Sequence, residues 1–326
     1  MKRRREVLLA SCALLAPVSS LAQPVSRPRV IGFLVNRRPS DNPNDLVHVF
    51  IGAIRDLGWN EGKSVAFELR AAEQRYERFP ELARELVGLN VDLIVVTAGV
   101  TAALAAKQAT TTIPILAVGI ADPVKFGLVD SMARPGGNVT GFMATDIDWG
   151  KYLELAREAA GATRIAVIGN PTNVVYADYV AKNEAAARLL GVKLLMIPVA
   201  QASDLPAAFE AMSRERSEAL VFGPDPVFFA NMKEIVERAR AGGLPVLAPF
   251  RLAAQQGALV SYGPDGRDMM RQAASYADKL LKGTKAGDLP FVKSTHLELV
   301  VNLKTAKALG IAVPSSLQLR ADELIE

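Results

Sequence analysis

The residues best placed to bind another molecule lie in segment 97–101, Thr-Ala-Gly-Val-Thr, between a predicted buried strand and a predicted helix. A strand that turns directly into a helix leaves the first helical N–H groups without partners, and these groups attract an anionic or polar ligand. Small residues such as Gly99 let a ligand approach the backbone, and the hydroxyls of Thr97 and Thr101 are further donors. Alternatively, Thr101 only caps its own helix. The chemistry indicated is noncovalent capture.

Further polar or aromatic residues share this position at the carboxyl end of a predicted strand. Asn36 and Asp122 do so in the first half of the chain, and Asn170, Asp225 and Phe250 in the second. In open α/β sheets, ligands bind at this edge. The two aspartates and Asn170 each precede a proline, so each also fits an ordinary turn. As a set, these residues predict one cleft for a small ligand.

Patterns that accompany common enzymes are missing from the sequence. The only histidines, His48 and His296, have no second ligand-type residue at metal spacing, and the only cysteine is Cys12. No Gly-x-Ser-x-Gly motif occurs, and Gly136-Gly137 precedes a predicted strand rather than the helix of a dinucleotide site. We therefore expect no catalytic residue, no metal and no cofactor, while acid–base catalysis by lysine and carboxylate side chains stays open.

Segment 58–64, Gly-Trp-Asn-Glu-Gly-Lys-Ser, ends like a phosphate-binding loop. It is one residue too short for that motif, and a predicted helix precedes it while a predicted strand follows. Since no helix N-terminus would face a phosphate, we interpret the segment as a helix-to-strand turn.

Alternating strands and helices must position these residues. Short apolar, β-branched runs predict buried parallel strands that begin near residues 30, 64, 92 and 114, and again near 164, 193, 219 and 245. Helices are predicted at 42–57, 79–89, 102–108, 176–190, 205–216 and 228–241. Because the second set repeats the first, the fold class is α/β, with two Rossmann-like, doubly wound parallel-sheet lobes.

The tail has strands and helices but no core of its own, so both lobes should share it. Its predicted elements are strands at 259–263 and 297–303 and helices at 268–282 and 304–309. Sharing requires three crossings between the lobes, near residues 142–145, 261–262 and 290–295. The predicted lobes are 28–143 with about 263–291, and 144–261 with about 292–326.

The first 22 residues have the features of an export signal: a cationic start, an apolar middle and small residues before a cut. The apolar run is shorter than the ~20 residues that span a bilayer. We predict cleavage after Ala22 and a periplasmic protein, by either the general or the twin-arginine route. Leu9–Cys12 also fits a lipoprotein cleavage site, but the apolar run before Cys12 is short for that alternative.

Composition fits two cores and argues against a nucleic-acid partner. The chain has 326 residues, of which 50% are hydrophobic and 22% charged. Its formal charge of +4 comes mostly from the leader, because the residues after Ala22 include 34 basic and 33 acidic side chains. Without a basic excess, nucleic-acid binding is not expected. With no cysteine after Cys12, no disulfide is expected either.

Six segments spread over nearly the whole chain after the leader match the pattern of one family. They are Pro80–Ala83, Thr101–Ile115, Asp122–Val124, Ala133–Gly141, Ser261–Pro264 and Leu299–Ala306. In them the chain resembles the ABC transporter substrate-binding proteins of the tryptophan/tyrosine-binding type. The resemblance implies a type I periplasmic binding fold, with three hinge strands and a ligand trapped between two lobes. It also implies an ABC permease and an ATPase as partners.

The resemblance further implies which positions line the cleft: segment 97–101, Asp122, Asn170, Asp225 and the hinge residue Tyr262. It does not identify the ligand, because the family is broad. The segment Asn36–Ser40 is more basic than the family would suggest. Its Arg37 and Arg38 either favour a carboxylate-rich ligand or are simply solvated.

If the ligand is an amino acid, segment 97–101 should bind its carboxylate. Asp122 or Asp225 should then bind its ammonium group, and Phe250 or Tyr262 should face its side chain.

The function expected is that of a non-enzymatic solute receptor whose lobes close by hinge motion on a small polar ligand. One alternative is a periplasmic sensor that reports to a membrane signalling protein. Another is an enzyme that uses cleft carboxylates on a small metabolite. A DNA-binding relative of this fold is disfavoured, because the export signal occupies the place of the DNA-binding helices.

Overall fold

The computed structural model describes residues 27–42, 45–144, 149–294 and 297–326. A six-stranded sheet forms the first lobe, and all its strands are parallel. The strands are β1 (Arg29–Val35), β2 (Val65–Ala71), β3 (Leu93–Val96), β4 (Ile115–Ile120), β5 (Val139–Met143) and β11 (Val292–Lys293). Their order is β11-β5-β4-β3-β1-β2. The four-residue β3 is fully buried, as its apolar run predicts.

A seven-stranded sheet forms the second lobe. Its strands are β6 (Arg164–Gly169), β7 (Lys193–Pro198), β8 (Ala219–Phe222), β9 (Val246–Ala248), β10 (Val260–Pro264), β12 (Leu297–Asn302) and β13 (Glu323–Ile325). Their order is β13-β12-β10-β9-β8-β6-β7. The pair β10 and β12 is antiparallel, and the other neighbours are parallel. The predicted α/β class with two doubly wound sheets is confirmed.

Helices cover both faces of each sheet. The first lobe has α1 (Leu46–Asp56), α2 (Phe79–Gly88), α3 (Gly99–Ala109) and α10 (Gly266–Leu281). The second has α4 (Trp149–Ala160), α5 (Tyr176–Leu190), α6 (Leu205–Arg214), α7 (Pro226–Ala230), α8 (Met232–Ala241), α9 (Arg251–Gln255), α11 (Leu303–Ala308) and α12 (Ser315–Arg320). Helix α10 packs on α1 around Phe33 and Phe50, so the first lobe recruits it from the tail.

The chain passes between the sheets three times: from β5 to α4, from β10 to α10 and from β11 to β12. The first and third passages fall at predicted crossings, of which Thr145 and Thr295 lie outside the described residues. The second follows Pro264, later than the predicted 261–262, because Gly263 and Pro264 still pair with β12 in the second sheet and do not belong, as predicted, to the first lobe. Because Val292 and Lys293 pair with β5, these two residues belong to the first sheet and not, as predicted, to the second lobe. Within the described ranges, no helix has the length and apolar character that crossing a membrane would need.

Several elements differ from the sequence prediction for local reasons. Helix α3 begins at Gly99 rather than at 102. The predicted helix 228–241 is two helices, α7 and α8, because the Asn231 side chain bonds back to the Val227 carbonyl (2.8 Å) and its backbone leaves the helical region. Helices α4, α9 and α12 and strands β11 and β13 were not predicted. All but α4 are six residues or fewer, too short to show a clear period.

Two features that resembled functional motifs have structural roles. Segment 58–64 joins α1 to β2 as the expected turn. His48 lies on α1 and its Nε2 donates to the Ser40 carbonyl at 2.9 Å. The other histidine, His296, lies outside the described residues.

Candidate ligand-binding cleft

A cavity lies between the lobes, at the carboxyl ends of strands from both sheets. The first lobe lines it with residues at the start of α3 and after β4 and β5: Gly99, Val100, Gly119, Ala121, Asp122, Phe126, Met143 and Ala144. The second lobe lines it with residues after β6, on α5 and after β8: Gly169, Asn170, Asn173, Val175, Tyr176, Asp178, Tyr179, Lys182, Gly223–Pro226 and Phe228. Both sheets therefore present to one cavity the edge at which α/β proteins bind ligands.

The first turn of α3 offers backbone donors to this cavity. Ala98 is the N-cap and supplies no side-chain hydrogen bond, while Gly99 has a φ of +77° that glycine adopts without strain. The amides of Gly99, Val100 and Thr101 therefore have no partner within the helix. The capping alternative for Thr101 is wrong, because it lies inside the helix and its Oγ1 is 3.5 Å from Asn173 Oδ1 across the cleft.

Asp122 follows β4 and is a half-buried carboxylate in the cavity wall. Its Oδ1 accepts one hydrogen bond, from the backbone N–H of Lys125 at 3.0 Å. Within the described part of the chain it forms no ion pair. Asp122 therefore keeps acceptor capacity for a cationic group.

Asp225, in contrast, is buried and already has a full set of donors. Its Oδ1 accepts from Asn170 Nδ2 (3.3 Å) and the Val227 N–H (2.8 Å). Its Oδ2 accepts from Asn173 Nδ2 (2.9 Å) and the Tyr76 hydroxyl (3.1 Å). Burial raises the pKa of Asp225 above the ordinary value, and these hydrogen bonds oppose that effect. Three of the donors are N–H groups that can only donate, which suits the carboxylate form.

Asp178 on α5 is the third carboxylate in the wall. It pairs with Lys182 (3.0 Å), one helical turn away, and with Lys125 of the first lobe. Partial burial raises the pKa of Asp178, but hydrogen bonds and charges from the two lysines outweigh it and hold the pKa below the ordinary value. The Lys125–Asp178 pair joins the lobes beside the cavity.

Aromatic rings form much of the remaining wall. Phe126 comes from the first lobe, and Tyr176, Tyr179 and Phe228 come from the second. Phe228 is held edge-on against Phe222, with ring centroids 5.9 Å apart. The wall can therefore accept a flat, apolar group between rigid side chains.

Of the residues predicted to bind ligand, Gly99, Asp122, Asn170 and Asp225 line the cavity, whereas Asn36, Thr97, Thr101, Phe250 and Tyr262 do not. The Thr97 N–H bonds to the Leu34 carbonyl at 3.3 Å.

Asn36 and Phe250 lie away from this wall. Asn36 is buried at the end of β1, and its side-chain amide has no hydrogen-bond partner among the described residues. Phe250 packs edge-on against Phe229 at 5.1 Å, and the Arg37 guanidinium lies 5.9 Å above the Phe229 ring. Arg37 is thus neither simply solvated nor in the cavity wall.

Tyr262 packs against helix α4. Its ring lies 6.3 Å from that of Tyr152 on α4, and its carbonyl accepts a hydrogen bond from the Tyr152 hydroxyl. Side chains alternate between the faces of a strand, so a hinge-strand position alone does not decide which face Tyr262 occupies.

Several residues of the cleft were missed by sequence reasoning. Asn173 follows β6 within the same turn as Asn170, and this turn was the available signal. Tyr76 and Gln74 follow β2, and nothing local marks them. Within the described ranges, no three His, Cys, Asp or Glu side chains are grouped so as to hold a metal ion.

The cleft geometry agrees with the comparison of the sequence with known families. The profile of the family described as ABC transporter substrate binding protein matches residues 41–325. The chain belongs to this family. As a substrate-binding protein it is extracytoplasmic, binds a small ligand and acts with the permease of an ABC transporter.

Individual relatives of this substrate-binding protein agree with its fold. It is 27% identical over 266 residues to the tyrosine-binding protein of Clostridioides difficile (strain R20291), covering 80% of this chain and 75% of the relative. Its fold matches a Streptococcus pneumoniae ABC domain in complex with L-Trp, with a TM-score of 0.80, 21% identity and coverage of 91% and 100%. It also matches the leucine-binding protein LivK of Thermotoga maritima, with a TM-score of 0.57, 11% identity and coverage of 83% and 97%. The fold is the type I periplasmic binding fold.

Proposed function

We propose that this substrate-binding protein captures a free α-amino acid with an aromatic side chain in the periplasm and delivers it to an ABC importer. The observation that carries the proposal is the composition of the cavity wall. One cavity is surrounded by amides at the start of α3 and an Asp122 carboxylate, which have no hydrogen-bond acceptor and no ion pair, respectively, among the described residues, and by a set of aromatic rings. These three features complement the carboxylate, the ammonium group and the side chain of such a ligand.

The charged groups of the ligand have separate sites in this arrangement. The Gly99 and Val100 amides, at the positive end of the α3 dipole, bind the carboxylate. Asp122 binds the ammonium group, because the other two wall carboxylates already have partners of their own. Both sites lie in the first lobe, so the ligand can bind there before the cleft closes.

The second lobe supplies most of the contact with the side chain. Tyr176 and Phe228 line the cavity from the second lobe and Phe126 lines it from the first. An aromatic ring bound between the lobes would bury apolar area against them and make edge or face contacts. The names of two relatives, one tyrosine-binding and one in complex with L-Trp, support this choice. A ligand that bridges both lobes stabilises the closed form over the open one.

The remaining parts of the proposal concern location and partners. Residues 1–22 act as the export signal, cleaved after Ala22, and a permease and an ATPase complete the importer. The protein binds its ligand without changing it.

The test is a calorimetric titration of the purified protein with each standard amino acid. We expect L-tryptophan, L-tyrosine or L-phenylalanine to bind, and indolepropionate, which is L-tryptophan without its ammonium group, to bind at least tenfold more weakly. Mass spectrometry should recover the bound ligand unchanged. Binding restricted to ligands without an amino-acid group, or recovery of a reaction product, would contradict the proposal.

A further inference from the structure

Beside the cavity, the two lobes contact each other directly through polar side chains. Gln74 and Tyr76 follow β2 in the first lobe, and Asp225 and Asn231 flank α7 in the second. The Tyr76 hydroxyl donates to Asp225 Oδ2 at 3.1 Å, and Asn231 Nδ2 donates to Gln74 Oε1 at 2.8 Å. Neither Gln74 nor Tyr76 lines the cavity.

The acceptor of the Tyr76 bond is prepared by the second lobe alone. Asn170, Asn173 and the Val227 N–H fix the Asp225 carboxylate and occupy three of its roughly four acceptor sites. The site that remains is taken by the Tyr76 hydroxyl. A ligand ammonium group would have to displace one of these donors to reach Asp225.

The bond is also nearly shielded from water. Tyr76 is 7% exposed and Asp225 is 6% exposed. Opening the cleft would separate the two, because they belong to different lobes. A hydrogen bond to a buried carboxylate is among the stronger ones in proteins, so its presence only in the closed form favours closure.

We propose that Tyr76 and Asp225 form a latch that sets the closed fraction of the protein, and that the Asp225 carboxylate does not contact the ligand. This inference rests on the proposed function only for the choice of the ligands that serve as probes. The hydrogen bonds between the lobes, on which it is based, do not depend on that function. In it, Asp225 is a positioning residue. Recognition of the ligand belongs to the cavity, and the latch acts on every ligand alike.

The latch predicts a specific pattern of affinities. The apparent dissociation constant is the intrinsic one divided by the fraction of protein in the binding-competent state. A residue that contacts the ligand's ammonium group changes affinity only for ligands that carry one. A latch residue changes affinity for all ligands by the same factor.

The experiment is calorimetric titration of wild type and Tyr76→Phe with two probes, L-tryptophan and indolepropionate. We expect Tyr76→Phe to weaken binding of both probes by the same factor, about tenfold. Gln74→Ala, which removes the hydrogen bond between Gln74 and Asn231 of the other lobe, should act in the same direction with a smaller factor. Tyr276→Phe is the matched control, because its hydroxyl bonds to the Pro290 carbonyl within the first lobe.

Two results would overturn the latch: a loss confined to L-tryptophan, or affinities within twofold of wild type for both probes. If wild type binds L-tyrosine or L-phenylalanine but not L-tryptophan, that amino acid and its analogue without the ammonium group replace the two probes. If wild type binds none of the three amino acids, the proposed function fails, but small-angle X-ray scattering without ligand still decides about the latch. Tyr76→Phe must then have a larger radius of gyration than wild type and Tyr276→Phe. Equal radii would refute it. Melting temperatures of all variants establish that each is folded.

Discussion

The cleft between the lobes has two halves, which differ in whether their polar groups have hydrogen-bond partners within the protein. In the contact half, Gln74 and Tyr76 bond directly to Asn231 and Asp225 of the other lobe. In the cavity half, the first-turn amides of α3 and the Asp122 carboxylate retain unused hydrogen-bonding capacity. The polar groups of the contact half bond to each other, whereas those of the cavity half are free to bond to a ligand. Closure and recognition can therefore be altered separately.

The position of the strands explains this division. Strand β2 is at the edge of the first sheet, and the segment after it extends towards the second lobe. Glu73 and Gln74 there adopt positive φ angles of 51° and 65°, which are uncommon for residues other than glycine. Their backbone turns the chain so that Gln74 reaches Asn231. Strands β3, β4 and β5 lie further into the sheet and carry the cavity.

The largest expected effect comes from removing the carboxylate on which the contact half depends. Asp225→Ala leaves three N–H donors buried without partners, and one of them, the Val227 N–H, is the donor of the N-cap bond of α7. We expect the free energy of unfolding to fall by about 3 kcal/mol, measured by urea denaturation.

The matched control for that change is Asp265→Ala. Asp265 is also an N-cap aspartate, and its Oδ1 accepts from the Arg267 N–H at 2.9 Å, but its side chain is partly exposed. The Asp265→Ala substitution should lower the free energy of unfolding by about 1 kcal/mol. Similar costs for the two variants would show that the buried cluster around Asp225 adds nothing beyond a helix cap.

A smaller effect, confined to affinity, is expected from the cavity half. Asp122→Asn removes a negative charge but keeps an oxygen that can accept from the Lys125 N–H. We expect binding of L-tryptophan to weaken by about 2 kcal/mol, roughly 30-fold, because a charged hydrogen bond to the ammonium group is lost. Calorimetry gives the affinity, and urea denaturation should show an unchanged stability.

Indolepropionate supplies the control for Asp122→Asn, since it has no ammonium group. Its affinity should not fall when Asp122 is neutralised. If Asp225→Asn, and not Asp122→Asn, selectively weakens L-tryptophan, the roles of the two halves are exchanged and the ammonium group binds at Asp225.

The fold could be predicted because its signals are local. The run Leu93–Val96 predicts a buried strand wherever it lies, and a proline at the first turn of α2 marks that helix start. Elements of two to six residues, such as β11 and α12, were missed because they depend on a neighbouring strand or helix rather than on their own period. The missed helix α4 is longer, and its buried residues, including Tyr152 and Leu153, do show a helical pattern.

The candidate site was only partly predictable, because some of its residues lie far apart in the sequence. Asp122 and Asn170 stand directly after strands, so topology alone brings them to the cleft. Tyr76 meets Asp225 across 149 sequence positions, and no local pattern records that contact. Phe250 also follows a strand, but its ring packs on Phe229 instead of lining the cavity. Strand ends predict which edge matters, not which side chains remain available to a ligand.

The smallest effect is expected from the ion pair between Lys125 and Asp178. It joins the two lobes, as the hydrogen bonds of the contact half do, but it lies exposed beside the cavity. The Lys125 side chain is 46% exposed and that of Asp178 is 24% exposed, so their ion pair is screened by water and salt. Lys125→Ala should weaken L-tryptophan binding by about 0.5 kcal/mol, roughly twofold, at low salt and less at high salt. Lys151→Ala, which breaks an ion pair with Glu154 on α4, is the control.

The pH dependence gives this last prediction a sign. The pKa of Asp178 is lowered in the closed protein, so its carboxylate is charged at every pH above the ordinary pKa. Over that pH range the ion pair makes its full contribution to binding. The benefit is lost as the pH falls through the lowered pKa. The twofold difference between wild type and Lys125→Ala should therefore hold from pH ~7 down to about 4 and disappear below that. A difference that vanished near neutral pH would mean that another group, and not Asp178, is the partner of Lys125.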